Sequence, residues 1–285
     1  MSQTQTSRII VLHLTKYGDS SLVVHAIDSQ KGRCSYMLRG AGRSKHVTVG
    51  AFHNLAVLDI VSVESPKSSM AYLKEYEPAI PLDSLRSDVV KNSIALFISE
   101  LLYRTIVEQN SDDRLFTWLC DAIARLNALG CKADATTDSQ AGAPNSQDGR
   151  TAEDAGNSTA SQGSAANFHL WFLAGLCTVL GFGPSQTGDF DGSEYLQNAK
   201  LIASPRGTTR TDAGMSTPQP ADPSRGDNLT LLRELAAKPF AEAMAIPLNG
   251  ARRRDFCDSM IRYISYHLGI NLHLRSLDVL HDLFA

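Results

Sequence analysis

The chain lacks cysteines in any pairing pattern. Its five, Cys34, Cys120, Cys131, Cys177 and Cys257, are scattered and odd in number, with no CxxC among them. Neither a disulfide framework nor a zinc ribbon is indicated, and isolated thiols in apolar surroundings fit a reducing compartment. Long hydrophobic runs are also missing. The longest, Leu170 to Phe182, is interrupted by Gly175 and Gly181; it is too short to span a bilayer and reads as a buried helix. The opening, Met1 to Ser7, has no apolar core of the kind a secretory signal needs. A cytoplasmic address and no membrane partner are expected.

An excess of charge of one sign is absent as well. Lys and Arg number 27 against 30 Asp and Glu, a formal net charge of −3. Affinity for an anionic polymer must therefore come from a local patch.

Catalytic signatures are likewise missing. The eight histidines form no HxH, HxE or HExxH pattern, and the chain contains no GxxxxGK[ST] and no GxSxG. Metal hydrolysis, phosphate-loop nucleotide binding and a nucleophile elbow lose their sequence support. Asp112-Asp113 reads as a helix start, because acids favour a helix N-terminus. No catalytic residue, metal or cofactor is assigned, and the expectation is a protein that is not an enzyme.

What is present is a concentrated basic stretch, Lys31 to Lys45, with five Lys/Arg and no acid. Its first half, Arg33 to Arg39, alternates as a strand. Arg33, Ser35, Met37 and Arg39 lie on one face, and Cys34, Tyr36 and Leu38 on the other. Arg43 and Lys45 follow on a glycine-broken loop, with Lys31 and Lys16 nearby in sequence. Lys and Arg presented together are what phosphate contacts require; Tyr17, Tyr36 and Phe52 are candidate stacking faces. A solvated rim kept basic for solubility is the competing reading.

Around this stretch the pattern is β. Residues 8–14, 22–27, 33–39, 55–64 and 70–76 read as five short strands separated by Gly and Ser turns, which suggests a small closed barrel. An OB-type barrel is the natural candidate, although an SH3-like one gives a similar pattern. After about residue 80 the period becomes helical. Helices are expected over 87–109, capped by Ser84 or Ser87, from 111 to near Gly130, and over 168–180, 230–245 and 251–268, with Gly269 closing the last. The fold class is α+β: residues 1–80 a five-stranded barrel, residues 81–285 an all-α helical domain. Segments 133–167 and 204–228 are rich in Ala, Ser, Thr, Gly and Pro; they are expected to be disordered insertions, too polar to offset their ordering entropy.

A second basic cluster, Arg252-Arg253-Arg254, opens the penultimate helix. Cations there oppose the macrodipole, so compensation is expected from an acid of this chain, DNA phosphate or a partner's acidic tail.

Four blocks resemble the bacterial recombination mediator family RecO. They are Leu14 to Val24 with its Tyr17-Gly18-Asp19-Ser20 turn; Gly32 to Gly40 followed by Arg43-Ser44-Lys45; Ile98 to Leu102 with Arg114 to Leu119; and Ile261 to Leu268 with Leu274 to Leu280. The resemblance implies an OB barrel followed by a helical domain. It implies binding of single- and double-stranded DNA, annealing of complementary strands, contact with the C-terminal tail of the single-strand-binding protein SSB, and help from RecR in loading RecA, at the nucleoid. Arg33, Arg39, Arg43, Lys45, Lys31 and Lys16 become the expected DNA-binding residues, and Arg252, Arg253 and Arg254 a possible second site for DNA or the SSB tail. Many members carry a four-cysteine zinc site after an element matched here by Gly181 to Pro184. No cysteine lies between Pro184 and Arg233, so no zinc is expected. The alternatives are a scaffold whose barrel binds protein and, more remotely, a hydrolase.

Overall fold

The structure is a computed structural model that describes residues 3–40, 49–64, 70–130, 165–183 and 228–284. Five strands, β1 (Gln3–Tyr17), β2 (Ser21–Asp28), β3 (Gly32–Arg39), β4 (Val57–Glu64) and β5 (Ala71–Pro78), are followed by helices. They close into a barrel in the order β1-β2-β3-β5-β4. All pairs are antiparallel except β3 with β5, which run parallel at Tyr36–Ala71 and Met37–Tyr72. That order is the OB arrangement and settles the choice between barrel types.

β1 is twice the expected length because it pairs with two strands in succession. Gln3 to Ile10 pair with β4, and Ile9 to Tyr17 with β2. The polar half, Gln3 to Ser7, lacks an apolar pattern and is a strand only through its partner.

A bulge in β1 between Val11 and His13 decides what the outer face carries. Before it, Ile9 and Val11 point into the barrel core while Ile10 and Leu12 pack against the helices. Unbroken alternation would drive His13 into the apolar core. The extra residue instead turns His13 outward, opposite His25, and returns Leu14 to the barrel side.

The β2–β3 turn is pinned by one buried carboxylate. Asp28 is 1% exposed and accepts from the hydroxyls of Ser7 (2.5 Å) and Tyr36 (2.5 Å) and from the N–H groups of Gln30 (2.7 Å) and Lys31 (3.2 Å). Burial pushes the Tyr36 hydroxyl far above its ordinary pKa. Removing the acceptor strands two buried hydroxyls, so Asp28→Ala should destabilise the protein by about 3 kcal/mol and Tyr36→Phe by only about 1 kcal/mol. Urea denaturation of the two variants checks the ranking.

The helical region begins with α1 (Asp83–Ser87), α2 (Val89–Thr105) and α3 (Asp113–Ala128). The cap of α2 is Asp88, whose Oδ1 accepts from the Lys91 N–H at 3.0 Å, not Ser84 or Ser87. The separate turn α1 occupies Ser84 and Ser87, and Ser84 instead accepts a 2.6 Å bond from the buried Lys91 ammonium. That ammonium also donates to the Asn127 carbonyl at 2.9 Å, so it fastens the three helices together. Asp112 caps α3 as expected, accepting from the Leu115 N–H at 2.9 Å.

The remaining helices are α4 (Phe168–Val179), α5 (Asn228–Ala237), α6 (Phe240–Met244), α7 (Gly250–Leu268) and α8 (Ser276–Leu283). The single helix expected over 230–245 is two, because Pro239 cannot donate to the helix ladder. Gly269 closes α7 at φ +63°, as its type and place predict.

The two polar insertions lie largely outside the described residues, but their ends do not. Ala165–Asn167 form a short 3-10 helix in which the Asn167 amide donates to the carbonyls of Ala243, Met244 and Ile246. Asn228 starts α5 and is 7% exposed. Both are buried polar residues with partners, so composition alone assigned them to the wrong side of the boundary.

Candidate nucleic-acid interface

The outer face of β1, β2 and β3 is a ladder set by register. Tyr17, Ser21 and Arg39 form one rung; Thr15, Val23 and Met37 the next, with Met37 beside Tyr72 of β5; His25 and Ser35 follow with His13; Arg33 lies last, opposite Ile27. None of these outward positions is acidic. From Arg33 to Arg39 the face extends about 20 Å at roughly 3.3 Å per residue.

Arg33 and Arg39 share this face, as their spacing predicts, but they do different things. The Arg39 guanidinium lies 3.7 Å over the Tyr72 ring and is exposed. Tyr17, on the same rung across Ser21, is 61% exposed. A cation laid on an aromatic plane, with an exposed ring on the same rung, presents both of the groups that a nucleic-acid backbone and its bases use.

At the other end, Arg33 lies 4.1 Å over the ring of Tyr103 from α2. One of its guanidinium nitrogens, Nη1, is buried with no hydrogen-bond partner among the described residues. Burial pulls its pKa below the ordinary arginine value, with Tyr103 opposing. Tyr103 also meets His13 and His25 edge-on, at 5.5 and 5.4 Å, and the two imidazoles stack at 6.0 Å. His25 is hydrogen-bonded through Nδ1 to the Ser35 hydroxyl (2.8 Å) and through Nε2 to the Thr15 hydroxyl (3.2 Å). Burial, then Arg33 and His13, lower its pKa and keep it neutral. Tyr103, Tyr72, His13 and His25 were missed by sequence reasoning. The bulge at Leu12 that turns His13 outward leaves no mark in the strand pattern, and nothing local points to Tyr103.

The other basic residues separate further. Lys31 is ion-paired with Glu64 of β4. Lys16 is exposed at the rim and makes no ion pair among the described residues. Arg43 and Lys45 lie outside the described residues. Tyr36 and Phe52, expected as stacking faces, are in the barrel core at 1% and 2% exposure, Phe52 with its ring 4.6 Å from that of Tyr76. Tyr36 has the parity of Leu38, not of Arg39, and that parity decides its place.

Arg252, Arg253 and Arg254 are spread over three contacts inside the helical region. Arg252 bonds Asn228 and pairs with Asp255 at 3.2 Å, Arg253 donates to the Asn167 side-chain Oδ1 at 2.9 Å, and Arg254 to the His281 backbone carbonyl at 3.3 Å. They tie α7 to the starts of α5 and α4 and to α8. An acid of this chain, Asp255, supplies part of the compensation expected at this helix end. Among the described residues no set of three His, Cys, Asp or Glu side chains converges to hold a metal ion, and no helix is long and apolar enough to cross a membrane.

Fold and face define a class: an OB-type barrel with a ladder of cations and aromatics on the outer side of β1, β2 and β3 that carries no acid, followed by a helical region. Comparison with known proteins gives the family. Residues 1–81 match the family model described as recombination protein O N terminal, and residues 86–136 and 159–277 the one for its C terminal. The chain belongs to the RecO family of DNA repair proteins. It is similar to the DNA repair protein RecO of Flavobacterium psychrophilum, with 26% identity over 98% of each chain. It is also similar to that of Bacteroides fragilis, with 28% identity over 96% of this chain and 97% of the relative. The RecO of Porphyromonas gingivalis is 27% identical over 98% of each.

Proposed function

We propose that the protein is a recombination mediator that holds single-stranded DNA on the outer face of β1, β2, β3 and β5. The observation that carries this reading is Arg39 laid on Tyr72, with the exposed Tyr17 on the same rung, on a face whose β1, β2 and β3 positions carry no carboxylate. Arg39 and Lys16, with Arg43 and Lys45 that follow in the sequence, neutralise backbone phosphates. Tyr17 and Tyr72 offer ring faces that accept any base, so binding is insensitive to sequence. Arg33 and Lys31 are already engaged with Tyr103 and Glu64 and have supporting roles.

Two neutralised strands held with their bases free can pair, which is the annealing step; duplex DNA is bound through the same phosphate contacts. Membership of the RecO family supports the wider assignment: displacement of SSB through its acidic tail, partnership with RecR, and loading of RecA at the nucleoid, without catalysis. The arginines at 252–254 are assigned to holding the helical region together.

Charge reversal at Arg39 tests the reading. Arg39→Glu should weaken binding of a labelled oligothymidine more than tenfold at low salt, and should reduce the slope of log affinity against log salt by about 0.7 for each phosphate no longer neutralised. Unchanged affinity and slope exclude the face. Retained SSB binding with no DNA affinity in the wild type at low salt would make the barrel a protein-binding scaffold instead.

A further inference from the structure

The barrel face does not end at Tyr103. His13 of the ladder and Tyr103 of α2, which it meets edge-on, also line a cleft of about 470 Å³ between the barrel and the helices, together with Arg104 of α2 and Arg275 and Val279 at α8. A second cleft of about 460 Å³ shares His13, Asn54 and Leu96 with the first, so the two form one trough along the outer side of α2.

The charge in this trough has one sign to spare. Glu100 is the carboxylate lining the first cleft, and it is fully engaged: it accepts from the N–H of Arg275 (3.1 Å), the N–H of Ser276 (2.9 Å), the Ser276 hydroxyl (2.7 Å) and Arg104 (3.3 Å). Burial works to raise its pKa, but these bonds outweigh it and hold the carboxyl below its ordinary value. Arg275 is exposed, and its guanidinium makes no ion pair or hydrogen bond among the described residues. The apolar lining is partly open, with Leu96 38% and Val279 48% exposed.

We infer that the single strand held on the barrel continues past His13 and Tyr103 into this trough, with Arg275 taking a backbone phosphate and Leu96 and Val279 underlying the bases. The inference rests on the barrel reading above. Continuity of the surface and the uncompensated Arg275 favour a polyanion with flat apolar groups, which is the chemistry of a single strand. The two-part path predicts a length dependence: a short strand is satisfied by the barrel alone, and a long one needs both parts.

The experiment uses the full chain and oligothymidines of about 4 and about 16 nucleotides, the limits of common OB site sizes. Arg275→Ala leaves untouched the backbone N–H that Glu100 caps, and Val279→Glu alters an exposed position. Each should weaken the long oligonucleotide about threefold to tenfold, and Arg275→Ala should lower its salt slope by about 0.7, with the short one unaffected. Arg39→Glu should weaken both lengths. If both trough variants leave both lengths unchanged while Arg39→Glu weakens them, the extension is overturned and the barrel reading stands. If the trough variants act and Arg39→Glu does not, continuity is overturned together with the barrel reading. If Arg275→Ala abolishes binding of an acidic peptide and leaves the long strand unchanged, the trough belongs to a protein tail and the inference fails.

Discussion

Replacing Gly32 by alanine should destabilise the protein by about 3–5 kcal/mol, far more than the same change at Gly18. Both glycines have positive φ, +69° and +63°. An L-residue pays roughly 1 kcal/mol for that conformation alone. At Gly18 nothing lies within 4 Å of the position an added Cβ would take, so that is the whole effect. At Gly32 the Cβ would stand 2.2 Å from the Asn110 carbonyl oxygen and 2.7 Å from its carbon. Both are backbone atoms and cannot rotate away. The segment after α2 must withdraw, and with it goes the 2.9 Å bond from the Arg33 N–H to the Glu108 carbonyl. Gly32 is thus the point where the barrel and the helical region touch backbone to backbone, at the head of the strand that carries Arg33 and Arg39. Denaturant titration of the two variants measures the difference; a Gly32→Ala loss within 1 kcal/mol of the Gly18→Ala loss would show that the junction yields freely.

The same junction shows what could be read from the sequence. Parity along β3 placed Arg33 and Arg39 together and Tyr36 opposite, and period-2 patterning gave the central parts of all five strands, because one face of each packs into the barrel core. The OB strand order was not legible in the pattern, since five short strands fit more than one closure. Nor was the role of Arg33: its partner, Tyr103, lies 70 residues further along, on a helix. Charge patterning could not separate an arginine lying on a ring in a junction from one laid on a ring in solvent. Arg252 to Arg254 carry the same lesson. As a run they look like a surface patch, yet helical geometry sends each to a different neighbour, and Asn167 and Asn228, which receive two of them, were hidden inside segments whose composition reads as unstructured. Polar residues with long-range partners are the part of a fold that local pattern does not reveal.

Acidification should weaken this protein well above the range where carboxylates titrate, and His169 should be the largest single cause. Its ring is 2% exposed in the core of the helical region, stacked on Phe284 at 5.2 Å and edge-on to Phe97 at 6.4 Å. Its Nδ1 is buried with no partner among the described residues. Burial first, then the nearby charges of Arg253 on α7 and His281 on α8, pull its pKa down to about 3. In the unfolded chain the imidazole titrates near 6.5. Between those values the unfolded chain binds a proton that the native state refuses, so native stability falls as pH falls from about 6.5 towards about 3, by up to roughly 1.4 kcal/mol per pH unit. Above about pH 6.5 the group is neutral in both states and contributes no pH dependence. His25 and His53, whose pKa values are also lowered by burial, act in the same direction. Asp59, held down first by its hydrogen bond from Arg8, loses its stabilising charge only at lower pH, whereas Asp258, raised by burial, opposes the trend in the carboxylate range. His169→Phe keeps the aromatic contacts and removes both the titrating nitrogen and the unpartnered one. Its stability at pH 7.5 should equal or exceed that of the wild type, and between about pH 6 and 4.5 it should retain about 2 kcal/mol that the wild type loses. Urea midpoints of the two proteins at a series of pH values give the slopes directly. Parallel curves through that window would mean that the imidazole is protonated within the folded core, and the acid sensitivity would then have to come from the barrel histidines.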